Sequence, residues 1–128
     1  MRSLRWNRLG AEGAAALAPA LAANGGLTEL SIYGNRVGYE GVSAICEAIQ
    51  SNKETKLASL NFGYNGIGPV GANALAAMVA ATGSLTSLNL AQNRVWCCFF
   101  PKVVLFFPIR IFVHSCASVC IPMHFIVF

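Results

Sequence analysis

The chain has 128 residues, of which 55% are hydrophobic and 11% charged, with a formal net charge of +4. That length holds one modest domain, and the bases form no dense stripe, which argues against a nucleic-acid surface. The charge is unevenly spread: residues 1–95 carry all five acids and seven bases, whereas residues 96–128 carry only Lys102 and Arg110. Cysteine is also lopsided. Cys46 stands alone in the first part, while Cys97, Cys98, Cys116 and Cys120 fall in the second. A lone cysteine argues against a disulfide scaffold and for a reducing compartment, so the expected address is cytoplasmic.

In chain order, the first segment keeps Leu4 and Asn7 and is followed by Leu9-Gly10, Gly13 and the apolar series Ala14, Leu17 and Leu21. Arg2, Arg5 and Arg8 ahead of an alanine-rich stretch imitate a targeting peptide. However, Glu12-Gly13 matches Glu40-Gly41, and Leu17 and Leu21 match Ile45 and Ile49, so the segment reads as part of a repeat. Next come Leu27, Leu30 and Ile32 before Asn35, then Val37-Gly38, Gly41 and the series Val42, Ile45 and Ile49. After a slightly longer connection at 51–56, the order recurs. Leu57, Leu60 and Phe62 precede Asn65, and Ile67-Gly68, Gly71, Ala72, Leu75 and Val79 follow it. Leu85, Leu88 and Leu90 then lead to Asn93. The four asparagines recur at intervals of 28, 30 and 28.

Each unit predicts a short strand and a helix. Leu30 and Ile32 alternate with polar residues, the period of a strand with one buried side. The later series recurs every three or four residues, the period of a helix with one buried stripe. Neither element hides its apolar side alone, so units must stack, with parallel strands on the inner curve and helices on the outer one. The alanines at 14–16, 76, 77, 80 and 81 are expected to let helices approach closely. Gly10, Gly38 and Gly68 fall where strand turns to helix and permissive backbone angles are useful. The predicted class is an α/β solenoid over residues 1–95, about three units and a leftover strand, with a non-repeat hydrophobic tail over 96–128.

The L-x-x-L-x-[apolar]-x-x-N pattern and its glycines resemble the leucine-rich repeat family, in particular its ribonuclease-inhibitor-like subclass, which includes the repeat regions of NOD-like receptors. The resemblance implies a right-handed horseshoe segment, a fragment of a longer array, that binds another protein. It also implies that Asn7, Asn35, Asn65 and Asn93 form a ladder satisfying the backbone of the turn after each strand. Binding residues are then sought on the inner curve, at Glu29, Ser31 and Tyr33, at Ser59, Asn61 and Gly63, and at Ser87, Asn89 and Ala91. Arg5, Trp6, Tyr64 and Gln92 stand close by, and Arg5, Trp6, Tyr33 and Tyr64 are the favoured anchors because aromatics and arginine commonly dominate interfaces. Cys46 aligns with Ala18 and Ala76 and reads as a small buried hydrophobe.

From Trp96 onward the register is lost: Trp96 and Phe99 replace the two expected glycines. Residues 96–128 read as an unnatural ending, such as translated intron or a shifted frame, as a marginal membrane anchor, or as a metal site at His114, Cys116, Cys120 and His124. Chance explains that last grouping better. No aspartate occurs in the chain, neither histidine lies in the repeats, and there is no phosphate-binding G-x-x-x-x-G-K-[ST] loop. The expectation is therefore no enzyme, no catalytic residue, no metal, no cofactor and no small-molecule substrate. The partner is another protein, with a membrane involved only if the tail is genuine. A GTPase-activating or other regulatory protein of the Ran-activator type is the alternative, and a membrane-tethered interaction protein a further one.

Overall fold

The computed structural model describes residues 2–93 and the strand Arg110–Phe112. Strand and helix alternate in it: β1 (Arg2–Ser3), α1 (Gly10–Ala23), β2 (Glu29–Ser31), α2 (Gly38–Ser51), β3 (Ser59–Asn61), α3 (Gly68–Ala81), β4 (Ser87–Asn89) and β5 (Arg110–Phe112). The strands form one parallel sheet in sequence order. Leu30 pairs with Leu60, and Leu60 with Leu88, so equivalent residues of successive units lie side by side. That register puts the leucines on one face, where they are at most 3% exposed, together with Ile32, Phe62 and Leu90 one step further on. Parallel strands joined through helices, each helix against the next, give a stack that fits a solenoid.

Parallel pairing outlasts the short strands. Leu4 N donates to Ser31 O at 2.8 Å and Trp6 N to Tyr33 O at 3.0 Å. Ile32 N and Gly34 N repeat this with Asn61 O and Gly63 O, each at 3.0 Å, and Phe62 N and Tyr64 N do so with Asn89 O and Ala91 O at 2.9 and 2.8 Å. The backbone of each turn is thus satisfied by the next unit rather than by water.

The helices differ in burial. α2 buries Val42, Ile45, Cys46, Ala48 and Ile49, and α3 buries Ala72, Leu75, Ala76, Met78 and Val79, while α1 buries only Ala14 and Leu21. The alanine expectation needs correcting. Ala14 and Ala76 are buried, but Ala15, Ala16, Ala77, Ala80 and Ala81 are exposed. The exposed ones favour the helix through propensity, and close approach is made by the second glycine of the second and third units. A Cβ on Gly41 would stand 2.9 Å from Ala14 Cβ and 3.2 Å from Ala11 Cα of the preceding helix. Gly71 is pressed against the Ile67 side chain and lies near Tyr39 Cα of α2.

The tail expectations fall mostly outside the described residues, the candidate metal ligands His114, Cys116, Cys120 and His124 included. One segment is described. Arg110–Phe112 pairs in parallel with β4, Ser87 opposite Arg110 and Asn89 opposite Phe112. This strand is not expected from the repeat pattern, and it follows β4 several positions earlier than the repeat spacing would place it. So short a strand inside an apolar run carries no period to mark it.

Candidate functional site

One face of the sheet packs on the helices, and the other carries the alternate strand side chains. Behind both lies a row of asparagines at the strand ends. Asn65 is 1% exposed; its Nδ2 donates to Ile32 O (3.0 Å), Phe62 O (2.9 Å) and Gly63 O (3.0 Å). Its Oδ1 accepts from Asn35 N at 3.0 Å and Val37 N at 3.5 Å in the preceding unit. Asn35 repeats the scheme, donating to Leu4 O, Ile32 O and Tyr33 O and accepting from Asn7 N and Leu9 N. Asn93 donates to Phe62 O, Leu90 O and Ala91 O, while its Oδ1 accepts from Asn65 N at 2.8 Å. Each of these amides therefore bonds both within its own unit and to the preceding one. Asn7 differs: it is exposed, and its Nδ2 makes one long bond of 3.4 Å to Arg5 O.

A second polar row, missed in the sequence, closes the helices at their far ends. Asn24, Asn52 and Thr82 occupy equivalent positions as the C-caps of α1, α2 and α3. Asn52 is 7% exposed and donates to Leu21 O at 2.9 Å and Asn24 O at 2.8 Å, covering carbonyls that the end of α1 leaves open. Asn24 Oδ1 accepts from Gly26 N and Leu27 N, each at 2.9 Å. The spacing that aligned the first row also aligns this one, but Thr82 breaks the residue identity.

The turns around each ladder asparagine use the left-handed region repeatedly. Gly10, Gly38 and Gly68 have φ of 62° to 66°, as permissive turn positions require. Less expected are the non-glycine residues: Trp6 (59°), Tyr64 (55°) and Gln92 (63°) just before the asparagine, and Arg8 and Arg36 (both 54°) just after it. A left-handed backbone is sparsely populated by L-residues. Here the stacked neighbours hold it, and all five of these side chains are exposed.

Of the residues sought on the inner curve, four come together. The ring centroids of Trp6 and Tyr33 lie 5.3 Å apart, edge to face; those of Trp6 and Tyr64 lie 5.5 Å apart, and those of Tyr33 and Tyr64 6.2 Å. The Arg5 guanidinium sits 5.0 Å from the Tyr33 ring centroid, within cation–π range. Trp6 remains 60% and Tyr64 50% exposed. Glycines seat the cluster. A Cβ on Gly34 would stand 2.6 Å from the Trp6 ring, and one on Gly63 the same distance from Tyr33. Trp6 and Tyr33 thus each lie across the glycine of the next unit.

The other expected residues are dispersed. Glu29 is exposed at the start of β2, at the opposite end of the strand from the rings. Ser31, Arg5, Glu29 and Asn61 line a shallow depression of about 200 Å³, together with Ser59. The Ser31 Oγ is buried there and has no hydrogen-bond partner among the described residues. Asn61 and Asn89 are partly occupied with their own turns, their Oδ1 atoms accepting from Gly63 N and Ala91 N at 2.9 Å. Gln92 is exposed beside Tyr64, along a second depression. Gly63 and Ala91 require correction as surface candidates: both are buried, Gly63 beneath the Tyr33 ring.

Cys46 is 1% exposed, and burial, followed by the nearby Glu47 charge, pushes its thiol well above the usual range. It is an inert core group. Among the described residues no cluster of metal-ligating side chains occurs, and no helix is long and apolar enough to cross a membrane. No curated protein matches the sequence at a significant level. The family model described as Leucine Rich repeat matches residues 3–18, 27–46 and 53–76, segments that contain β2 and β3 and much of all three helices. With equivalent leucines paired strand to strand, the matched segments support leucine-rich repeats, a type of module that generally mediates contacts between proteins.

Proposed function

We propose that this chain is a protein-binding module of the ribonuclease-inhibitor-like kind. Its strands would line the inner curve of a horseshoe, and a partner would dock on the sheet face that the helices leave free. Arg5, Trp6, Tyr33 and Tyr64 are the proposed anchors. The observation that carries the reading is the cluster itself. Large rings with two of three at least half exposed, fixed against glycines and against one another, present apolar area at little cost in side-chain freedom. Rigid aromatics and arginine are the residues that most often dominate interface energy. The module would act by presenting a preformed surface, with no bond chemistry of its own.

A random peptide library selected on the full chain tests this. Binders should lose affinity about tenfold or more, equivalent to about 1.4 kcal/mol, in Trp6→Ala and Tyr64→Ala. The exposed helix variants Glu47→Ala and Gln50→Ala should leave them unchanged. Selected binders that ignore the two ring variants and depend on the helix positions would overturn the reading.

A further inference from the structure

At the end of the sheet where the rings sit, the charges on the turns themselves are arginines, and the nearest acids in the chain, Glu12 and Glu40, follow in the first turns of α1 and α2. Arg8 and Arg36 each follow a ladder asparagine, both exposed and both on the same left-handed backbone. Arg5 lies over the Tyr33 ring. No acid occurs in residues 2–9, 31–37, 61–67 or 87–93, the segments that make up this lip. Glu29 stands at the other end of its strand, where it lines a depression with Arg5, and Glu40, in the first turn of α2, accepts from the Tyr39 hydroxyl at 3.1 Å. In the third unit the arginine position is Gly66, and there a depression of about 430 Å³ opens between Arg36, Tyr64 and Gln92.

From this we infer that the partner presents an extended, carboxylate-rich segment to the lip. The inference rests on the docking surface proposed above and adds the chemistry of what docks. Guanidinium groups match carboxylates with two parallel hydrogen bonds, and exposed arginines on neighbouring units repel one another until an anion lies across them. The rings beside them give an acidic chain apolar contact, and the depression beside Tyr64 receives a side chain where the row of arginines is interrupted. A single-stranded nucleic acid would also seek arginine and aromatics. It is disfavoured here because the three rings are packed against one another at 5.3 to 6.2 Å instead of standing free for bases to stack.

Fluorescence anisotropy on the full chain decides, with a labelled polyglutamate peptide carrying one tyrosine, its polyglutamine counterpart, and oligouridine. The acidic peptide should bind and the glutamine peptide should bind far more weakly. Affinity should collapse near 1 M salt, where the screening length falls to ~3 Å. Arg8→Gln and Arg36→Gln should each weaken binding by up to about fivefold, the scale of one exposed ion pair, while Lys53→Gln and Lys56→Gln, at the opposite end of the strands, should not. Equal affinity for the two peptides, equal loss in the lysine variants, or a preference for oligouridine would overturn the inference. The two proposals fail separately. Library binders that need Trp6 but ignore Arg8 and Arg36 leave the docking surface standing and remove the acidic partner. Polyglutamate binding that needs the arginines, beside library binders indifferent to Trp6 and Tyr64, removes the docking surface.

Discussion

Asn65 is the position where a small change should cost most. In Asn65→Ala the carbonyls it serves keep other partners: Ile32 O retains Asn35 Nδ2, Phe62 O retains Asn93 Nδ2, and Gly63 O retains Gly34 N. The Asn35 and Val37 N–H groups do not, since their bonds to Asn65 Oδ1 at 3.0 and 3.5 Å have no replacement in the buried turn. A stranded buried donor costs ~1–3 kcal/mol, and with the longer Val37 bond at the low end of that range the two together give about 3 kcal/mol. Against a total stability of roughly 0.05–0.15 kcal/mol per residue, that is a large fraction. Asn7→Ala, at the exposed end of the same row, should cost no more than ~0.5 kcal/mol. Asn65→Asp sharpens the test, because it aims a carboxylate oxygen at three carbonyls. Folding then raises the pKa of that introduced carboxyl above its ordinary ~3.9. A raised acid is penalised only where the unfolded chain ionises, so the penalty is absent below that value, grows as pH rises and is complete above the folded pKa. Urea denaturation followed by circular dichroism, each variant against the unchanged chain at acid and neutral pH, measures all of this. Equal losses at Asn7 and Asn65, or an Asn65→Asp penalty no larger at neutral pH than in acid, would refute the reasoning.

Other expectations follow from single contacts. Pro19 is exposed inside α1, where it removes a helix bond; Pro19→Ala should stabilise by about 2 kcal/mol, the helix gain less the freedom restored to the unfolded chain, read as a higher urea midpoint. Gly68 and Gly71 should both resist alanine, by roughly 1–3 kcal/mol, for different reasons. Gly68 has φ of 66° with open space around it, whereas Gly71 is blocked by Ile67, so asparagine should be tolerated at 68 and rejected at 71 in the same denaturation assay. Cys46 should escape alkylation at mildly alkaline pH in the folded chain and react fully in denaturant, as mass spectrometry of its peptide would report; modification at equal rates in both would contradict its burial. Gly63→Ala should push the Tyr33 ring outward and shift Trp6 emission while leaving most of the stability intact.

The stacking was legible because repetition converts weak local signals into a register. A lone L-x-x-L is common, but Leu30, Leu60 and Leu88 with an asparagine at the same offset beyond each leave one parallel alignment, and the strands adopt it. The ring cluster was half legible. Trp6, Tyr33 and Tyr64 were singled out by residue type, yet they come from two different repeat positions, and only the seating of rings over a neighbour's glycine brings them together. That long-range fit leaves no period in the sequence. Gly63 misled for the same reason: alternation assigned it to the open face without revealing that a ring covers it. Arg8 stood out only beside Arg2 and Arg5 as part of a targeting-peptide mimic and Arg36 not at all, because two charges a full repeat apart do not look like a patch until stacking sets them on neighbouring units. The exposed alanines were misjudged because composition records how small a residue is, not which way it faces.

Equivalent side chains of successive units must touch if the stack is right. Methyl-to-methyl nuclear Overhauser contacts among Leu30, Leu60 and Leu88, in a leucine-labelled sample of the full chain, measure this. Neighbouring parallel strands stand ~4.8 Å apart, so strong cross-peaks are predicted for Leu30 with Leu60 and for Leu60 with Leu88, and only a weak one or none for Leu30 with Leu88. Missing neighbour contacts, or a Leu30–Leu88 contact as strong as the other two, would contradict the repeat register on which the docking surface depends.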